Sequence, residues 1–283
     1  MQYRIRLRRS KPFVSALAFS AALSVAALFS VSCTVSSDKI EYTRGEDAAA
    51  KNDFEGALKH YKTIVDHSVK TPLAVQAAKE AARISHYQLK RYKEAAEFYK
   101  HVILYSQVEA ERLEAQKKLA ELLFNETLDY SQAITEYSRL IELPHTTAED
   151  LTYRLAIAKS YFYLSNFFQS QVEIDTILKR GTDKDLLFDA LLLKASIYLT
   201  TKKLDDAIAT LKQIMDKYPE RAKSETIGLT LAVTYEEQKN FAKAIETLES
   251  IKDSYPRKDF IRQRIKILRE RQSYLPGAKG LKK

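Results

Sequence analysis

The sequence predicts an all-α protein built of about six repeated helix pairs and closed by a C-terminal capping helix. Three observations predict it. Glycine is scarce, six in 283 residues, whereas α/β folds need it at tight turns and phosphate loops. An aromatic residue or leucine recurs at Phe54, Tyr92, Tyr130, Phe167, Leu204 and Phe241, in steps of 38, 38, 37, 37 and 37. Small or apolar residues follow each of these at offsets of 3, 7 and 10, which places all four positions on one face of an α-helix. A composition 45% hydrophobic and 29% charged, with a single Cys, supplies a core and excludes a disordered chain, a collagen or a disulfide scaffold.

Residues 1–32 come first. Arg4, Arg6, Arg8, Arg9 and Lys11 precede an apolar run from Phe13 to Phe29, which closes on Ser30-Val31-Ser32. This order of cations, apolar stretch and small residues is that of a secretory signal peptide. Cys33 follows at once, where it resembles the acylated cysteine of a bacterial lipoprotein, and residues 33–38 then form a short tether. The lipoprotein pattern usually has Leu three residues before the cysteine. Ser30 stands there instead, so an uncleaved apolar anchor and ordinary cleavage to a soluble secreted form remain as alternatives. All three place the body outside the cytoplasm, because the positive flank stays inside.

Residues 39–256 hold the repeats. The small position three after each recurring residue is Ala57, Ala95, Ala133, Ser170, Ala207 and Ala244. Seven after stand Tyr61, Tyr99, Tyr137, Ile174, Leu211 and Leu248. A preceding helix carries its own small residue nine before, at Gly45, Ala158, Ala195 and Ala232, where a larger side chain would wedge the pair apart. In repeats two and three the nearest small residues are Ala82 and Ala120, ten before. Polar turns such as Lys51-Asn52-Asp53 separate the two helices, and breaks such as Lys217-Tyr218-Pro219 and Ser254-Tyr255-Pro256 separate the repeats.

Small-x-x-Tyr on the first helix, aromatic-x-x-Ala on the second and Pro after it resemble the tetratricopeptide repeat. The period exceeds its usual 34 residues, which predicts longer connections between repeats. Residues 257–273 predict a final helix with Phe260, Ile261, Ile265, Ile267 and Leu268 on a basic background, the cap that an open-ended solenoid needs. Residues 274–283, with Lys279, Lys282 and Lys283, read as a flexible basic tail suited to anionic lipid or an acidic partner.

The net charge of +9 suggests nucleic acid until it is located. Residues 1–32 contribute five positive charges and residues 257–283 a net eight, which leaves the middle of the chain at −4. A basic face for tracking phosphates is therefore not expected. Neither is a catalytic site, a cofactor, a small-molecule substrate or a metal. The five histidines, His60, His67, His86, His101 and His145, form no i, i+4 ligand pair and read as surface or groove residues. No nucleophile elbow or phosphate loop is present, and adjacent carboxylates such as Asp205-Asp206 point about 100° apart on a helix.

Function is then expected on the concave wall, which the first helices of the pairs line. The register predicts a protein-binding groove of Arg83, His86 and Tyr87, then Glu121, Phe124 and Asn125, then Lys159, Phe162 and Tyr163. The first repeat would add Glu46, Ala49 and Ala50, and later repeats Ser196, Leu199, Thr200, Val233, Glu236 and Glu237. The aromatics are either apolar anchors for a partner or, if the register is off by one, part of the core between helices.

A signal sequence, an acylatable cysteine, five to six helix pairs and Tyr-Pro breaks together resemble the outer-membrane barrel-assembly lipoproteins of the BamD type. That resemblance implies a scaffold anchored through Cys33 on the periplasmic face of the bacterial outer membrane. Its groove would bind envelope proteins or unfolded peptide segments during outer-membrane protein assembly. Lipoproteins that assist pilus secretin assembly are a rival resemblance, and a regulator of a cell-wall enzyme is a further alternative. Inner-membrane anchorage or a soluble periplasmic form are the alternative addresses.

Overall fold

The structure is a computed structural model that describes residues 37–274. The expected signal segment, Cys33 and all but the first residue of the basic tail lie outside the described residues. Among those described there are helices and no strands. α1 covers 37–50, and α2 (Phe54–His67), α3 (Pro72–Arg83), α4 (Tyr92–Tyr105), α5 (Glu109–Asn125), α6 (Tyr130–Glu142) and α7 (Thr147–Tyr163) follow. Then come α8 (Phe167–Arg180), α9 (Lys184–Thr200), α10 (Leu204–Lys217), α11 (Pro219–Ser224), α12 (Ile227–Glu237), α13 (Phe241–Ile251) and α14 (Lys258–Ser273). The chain divides after Gln116, inside α5, into two compact units.

Six helices, α2, α4, α6, α8, α10 and α13, begin on the six recurring residues. The cause lies in the turn before each. Asn52, Lys90, Leu128, Ser165, Lys202 and Lys239, each two residues upstream of its helix, all have positive φ. In the first repeat the Asn52 N–H donates to the Ala49 carbonyl and the Asp53 N–H to Ala48, the paired bonds of a left-handed helix stop. Repeats four, five and six make the same two bonds. Asp53, Asp129 and Asn240 then accept the N–H three residues on and start the next helix.

In repeats two and three the bond into the turn reaches one residue further back, from Arg91 to Ser85 and from Asp129 to Leu123. A π turn over Ile84–Gln88 takes up the additional residue in repeat two. This is why Ala82 and Ala120 stand ten rather than nine residues before the second helix.

Leu128 is the most costly of these left-handed residues, a bulky side chain at φ 53° and 56% exposed. Left-handed backbone costs an L-residue about 1–2 kcal/mol, and glycine returns part of that through its looser unfolded state. Leu128→Gly is therefore expected to raise stability by roughly 0.5–1 kcal/mol, measured as a higher urea midpoint. A lower midpoint would show that the Leu128 side chain contributes more than its backbone costs.

In the first unit α2 packs on α3 and α3 on α4. The contact face of α3 is almost all alanine, with Ala74, Ala77, Ala78, Ala81 and Ala82 fully buried, so the backbones approach closely. α1 meets α2 at Gly45, where a Cβ would lie 2.7 Å from the Tyr61 ring. The expected tether is already helical at its end: Asp38 is buried and accepts a hydrogen bond from Ser68.

In the second unit each helix packs on its neighbours in sequence, α6 on α7, α7 on α8, α8 on α9, α9 on α10 and α12 on α13. This is the one-dimensional stacking of a repeat solenoid. The small positions Ala158, Ala195, Ala207, Ala232 and Ala244 are all buried in it. α14 closes the unit by burying Ile261, Ile265 and Leu268 against the last cluster, while Phe260 and Ile267 of the expected apolar set remain exposed.

Two expectations need correction. The longer period does not lengthen the connections, which are only three or four residues between α4 and α5, α6 and α7, and α8 and α9. It lengthens the first helix instead, to 17 residues in α5, α7 and α9. Lys217-Tyr218-Pro219 is also more than a break. Pro219 opens α11, Ala222 is buried, and the Arg221 guanidinium lies 3.8 Å over the Phe188 ring. A proline fits the first helical turn because its missing N–H would be unpaired there anyway.

Candidate functional site

The predicted groove residues fall in both units. In the first, Arg83 is exposed and pairs with Glu80 on its own helix. Tyr87, in the π turn, is half exposed and its ring stacks on His86 at 4.1 Å. His86 itself is only 9% exposed, and its Nδ1 lies 3.1 Å from the Tyr99 hydroxyl. It is not an accessible groove histidine, because the π turn rotates it inward onto the second helix. His101 is likewise half-buried, and that burial pushes its pKa down.

In the second unit Glu121 and Asn125 are exposed near the end of α5. Glu121 pairs with Lys118. Lys159 is not a free cation, because its Nζ lies 3.6 Å from Asp189 on α9. Asp189 is held in turn by Arg221 at 2.9 Å, and Arg221 also reaches Asp185 at 2.9 Å. These pairs link α7, α9 and α11 and serve register more than affinity. Glu236 is also diverted from the wall, since Arg264 and Arg271 of the capping helix both bond it.

The aromatics do converge. Tyr163, the last residue of α7, stacks on Tyr130, the first residue of α6, with ring centroids 4.6 Å apart and planes 20° from parallel. Phe124 sits edge-on to Tyr130 at 5.8 Å and tilted to Tyr163 at 6.4 Å. Phe162 contacts Tyr163 and Phe167, each at 5.8 Å, and packs against the cluster of Leu151, Leu155 and Ile174. Phe162 thus belongs largely to the core between helices, and Phe124 is partly covered. Tyr163 remains 55% exposed with Leu164 beside it at 47%.

The apolar ledge therefore lies at the turns that end α5 and α7. Leu128 and Leu164 occupy those turns, and spacing along the concave wall gave no reason to select them. Phe168 and Val172 form a second exposed apolar pair one turn apart on α8. The buried side of that helix holds Ser170, Ile174 and Ile177, so the pair faces away from the core. Its signal was the degenerate run Asn166-Phe167-Phe168-Gln169.

Such a ledge can hold an apolar segment of a partner. Tyrosine buries a large area for two side-chain torsions, and its pre-formed stack loses little freedom on binding. Leu199, Thr200, Val233 and Glu237 line a shallow depression between α9 and α12 together with Lys202, Leu229, Thr230 and Thr234. Among the described residues no group of three or more His, Cys, Asp or Glu is placed to hold a metal, and no helix is long and apolar enough to cross a membrane.

A tetratricopeptide repeat protein from Parabacteroides merdae has a similar solved structure. It is 16% identical, covering 84% of this chain and 89% of that one, with a TM-score of 0.51. PilW, whose structure is described as that of a widely conserved type IV pilus biogenesis factor, is 13% identical over 81% of this chain and 98% of its own, also at 0.51. At such identities the likeness is one of fold. A comparison with the curated proteins gave no match. Two family models for the tetratricopeptide repeat do match, one over residues 42–110 and 155–222 and the other over 198–262. Together these span more than half of the sequence, with residues 111–154 between the matched stretches, and the chain belongs to the tetratricopeptide repeat family.

Proposed function

We propose that the chain is an exported, lipid-anchored scaffold that holds a protein partner or a peptide segment during assembly of the bacterial envelope. The observation that carries the binding role is the ledge of Tyr163 and Leu164 with the Tyr130 stack beneath it, an exposed apolar surface that the helix pairs themselves do not need. Export rests on the five cations and the apolar run before Cys33, and anchorage rests on Cys33 itself. Assembly of outer-membrane proteins is the reading favoured by the Tyr-Pro breaks and the long repeat. Pilus biogenesis is the second reading, and the fold shared with PilW supports it.

Fractionation of cells tests the anchor. The wild-type chain is expected in the membrane pellet and Cys33→Ala in the soluble periplasm, because removing the acyl chains removes the attachment. Recovery of Cys33→Ala in the membrane fraction with residues 1–32 intact would contradict lipid anchorage and establish an apolar anchor in its place.

A further inference from the structure

Among the described residues of the first unit, five large apolar side chains are exposed: Ile40, Val69, Tyr87, Leu104 and Val108. Four of them gather at one end of its helices. Consecutive helices joined by short turns run antiparallel, so α1, α3 and α5 start at the edge where α2 and α4 finish. Val69 lies in the turn between α2 and α3, and Val108 in the turn between α4 and α5. Ile40 and Leu104 stand within one helical turn, about 5.4 Å, of the start of α1 and the end of α4. Tyr87 lies at the opposite edge, in the π turn before α4.

The edge is continuous. Ser68, beside Val69, bonds Asp38 in the first turn of α1. The Val69 backbone lies within hydrogen-bonding reach of the His101 ring, three residues before Leu104. The Val108 N–H donates to the Ser106 hydroxyl, which donates in turn to the Val108 carbonyl. Leu104 points away from the buried Ala95, Tyr99 and Val102 of its helix and is 70% exposed. Lys39 and Lys70 stand on this edge with no ion-pair partner among the described residues, against Glu109 at the start of α5.

What covers the edge follows from the chain that leads to it. Cys33 precedes the first described residue by four, and four residues reach at most about 14 Å. A membrane attachment at or before Cys33 therefore keeps the start of α1 near the headgroups, while the opposite edge stands a helix length, about 20 Å, further off. We propose that the edge carrying Ile40, Val69, Leu104 and Val108 rests on the lipid surface to which the amino terminus is attached. This inference rests on the attachment proposed above and adds which part of the unit meets the bilayer. The apolar tips enter the headgroup boundary, and Lys39 and Lys70 lie at the phosphates. The tether supplies the high local concentration at which so small a contact is populated.

The chain contains no Trp, so a single one reports its own surroundings. The test takes the full chain, purified from membranes, with Leu104→Trp, Val108→Trp or Tyr87→Trp. Each is reconstituted into vesicles of phosphatidylethanolamine, phosphatidylglycerol and brominated phosphatidylcholine. Sedimentation with the vesicles reads the attachment, and quenching by bromine reads the edge. All three variants are expected to sediment, with Leu104→Trp and Val108→Trp shifted to the blue and quenched, and Tyr87→Trp not. Adding Ile40→Asp and Val108→Asp to Leu104→Trp should remove the quenching while the chain still sediments. Both substitutions fall at helix starts, where a carboxylate is well placed, so the fold is kept. Sedimentation with equal quenching at all three positions, with no quenching, or with quenching that survives the two Asp substitutions would overturn the proposal and leave the attachment standing. A chain that stays in the supernatant would remove the attachment, and the proposal with it.

Discussion

Gly45→Ala is expected to destabilise the first unit by about 1–3 kcal/mol, although alanine is the better helix former by nearly 1 kcal/mol. The steric term wins because the new Cβ would lie 2.7, 2.9 and 3.1 Å from three atoms of the Tyr61 ring. That ring is 1% exposed and packed against Tyr42 at 5.4 Å, so it has nowhere to move. Repeat five shows the alternative solution, with alanine at Ala195 and Leu211 at the tyrosine position. Tyr61→Leu should accordingly rescue Gly45→Ala, so that the double variant is more stable than the sum of the two single effects. Thermal or urea unfolding of the four proteins measures that coupling. Additive effects would show that Gly45 and Tyr61 do not set the approach of α1 to α2.

The same pairing explains how far the fold was legible. Offsets of 3, 7 and 10 fixed one helix face, and the six second helices begin on the recurring residues because a left-handed residue always precedes them by two. The slip from nine to ten before Tyr92 and Tyr130 was visible as an irregularity. Its meaning, a π turn in one repeat and a wider turn in the next, depends on backbone hydrogen bonds that no side-chain pattern encodes. Both slipped repeats, like repeat one, carry tyrosine seven residues into the second helix. Repeat one makes room with Gly45; repeats two and three carry the additional residue.

The site was legible in composition and not in arrangement. Phe124, Phe162 and Tyr163 do gather, but a one-helix register separates inner and outer faces only to within one residue. It could not assign Phe162 to the core while leaving Tyr163 exposed. The Tyr130–Tyr163 stack joins residues from consecutive repeats and arises only when those repeats pack. His86 shows the converse: its position matched the groove register, and the π turn buried it.

The central claim is that the ledge at the ends of α5 and α7 is where the partner is held. Its most direct test is capture of envelope proteins from detergent extracts by the immobilised chain, comparing two double variants of matched size. Tyr163→Ala with Leu164→Ala should reduce recovery of the captured protein by about tenfold or more, which is about 1.4 kcal/mol, with helical content unchanged. Phe168→Ala with Val172→Ala, on the outer side of α8, should leave recovery as in the wild type. Normal capture by the first variant, with loss in the second or on removal of residues 257–283, would contradict the account and move the interface off the ledge.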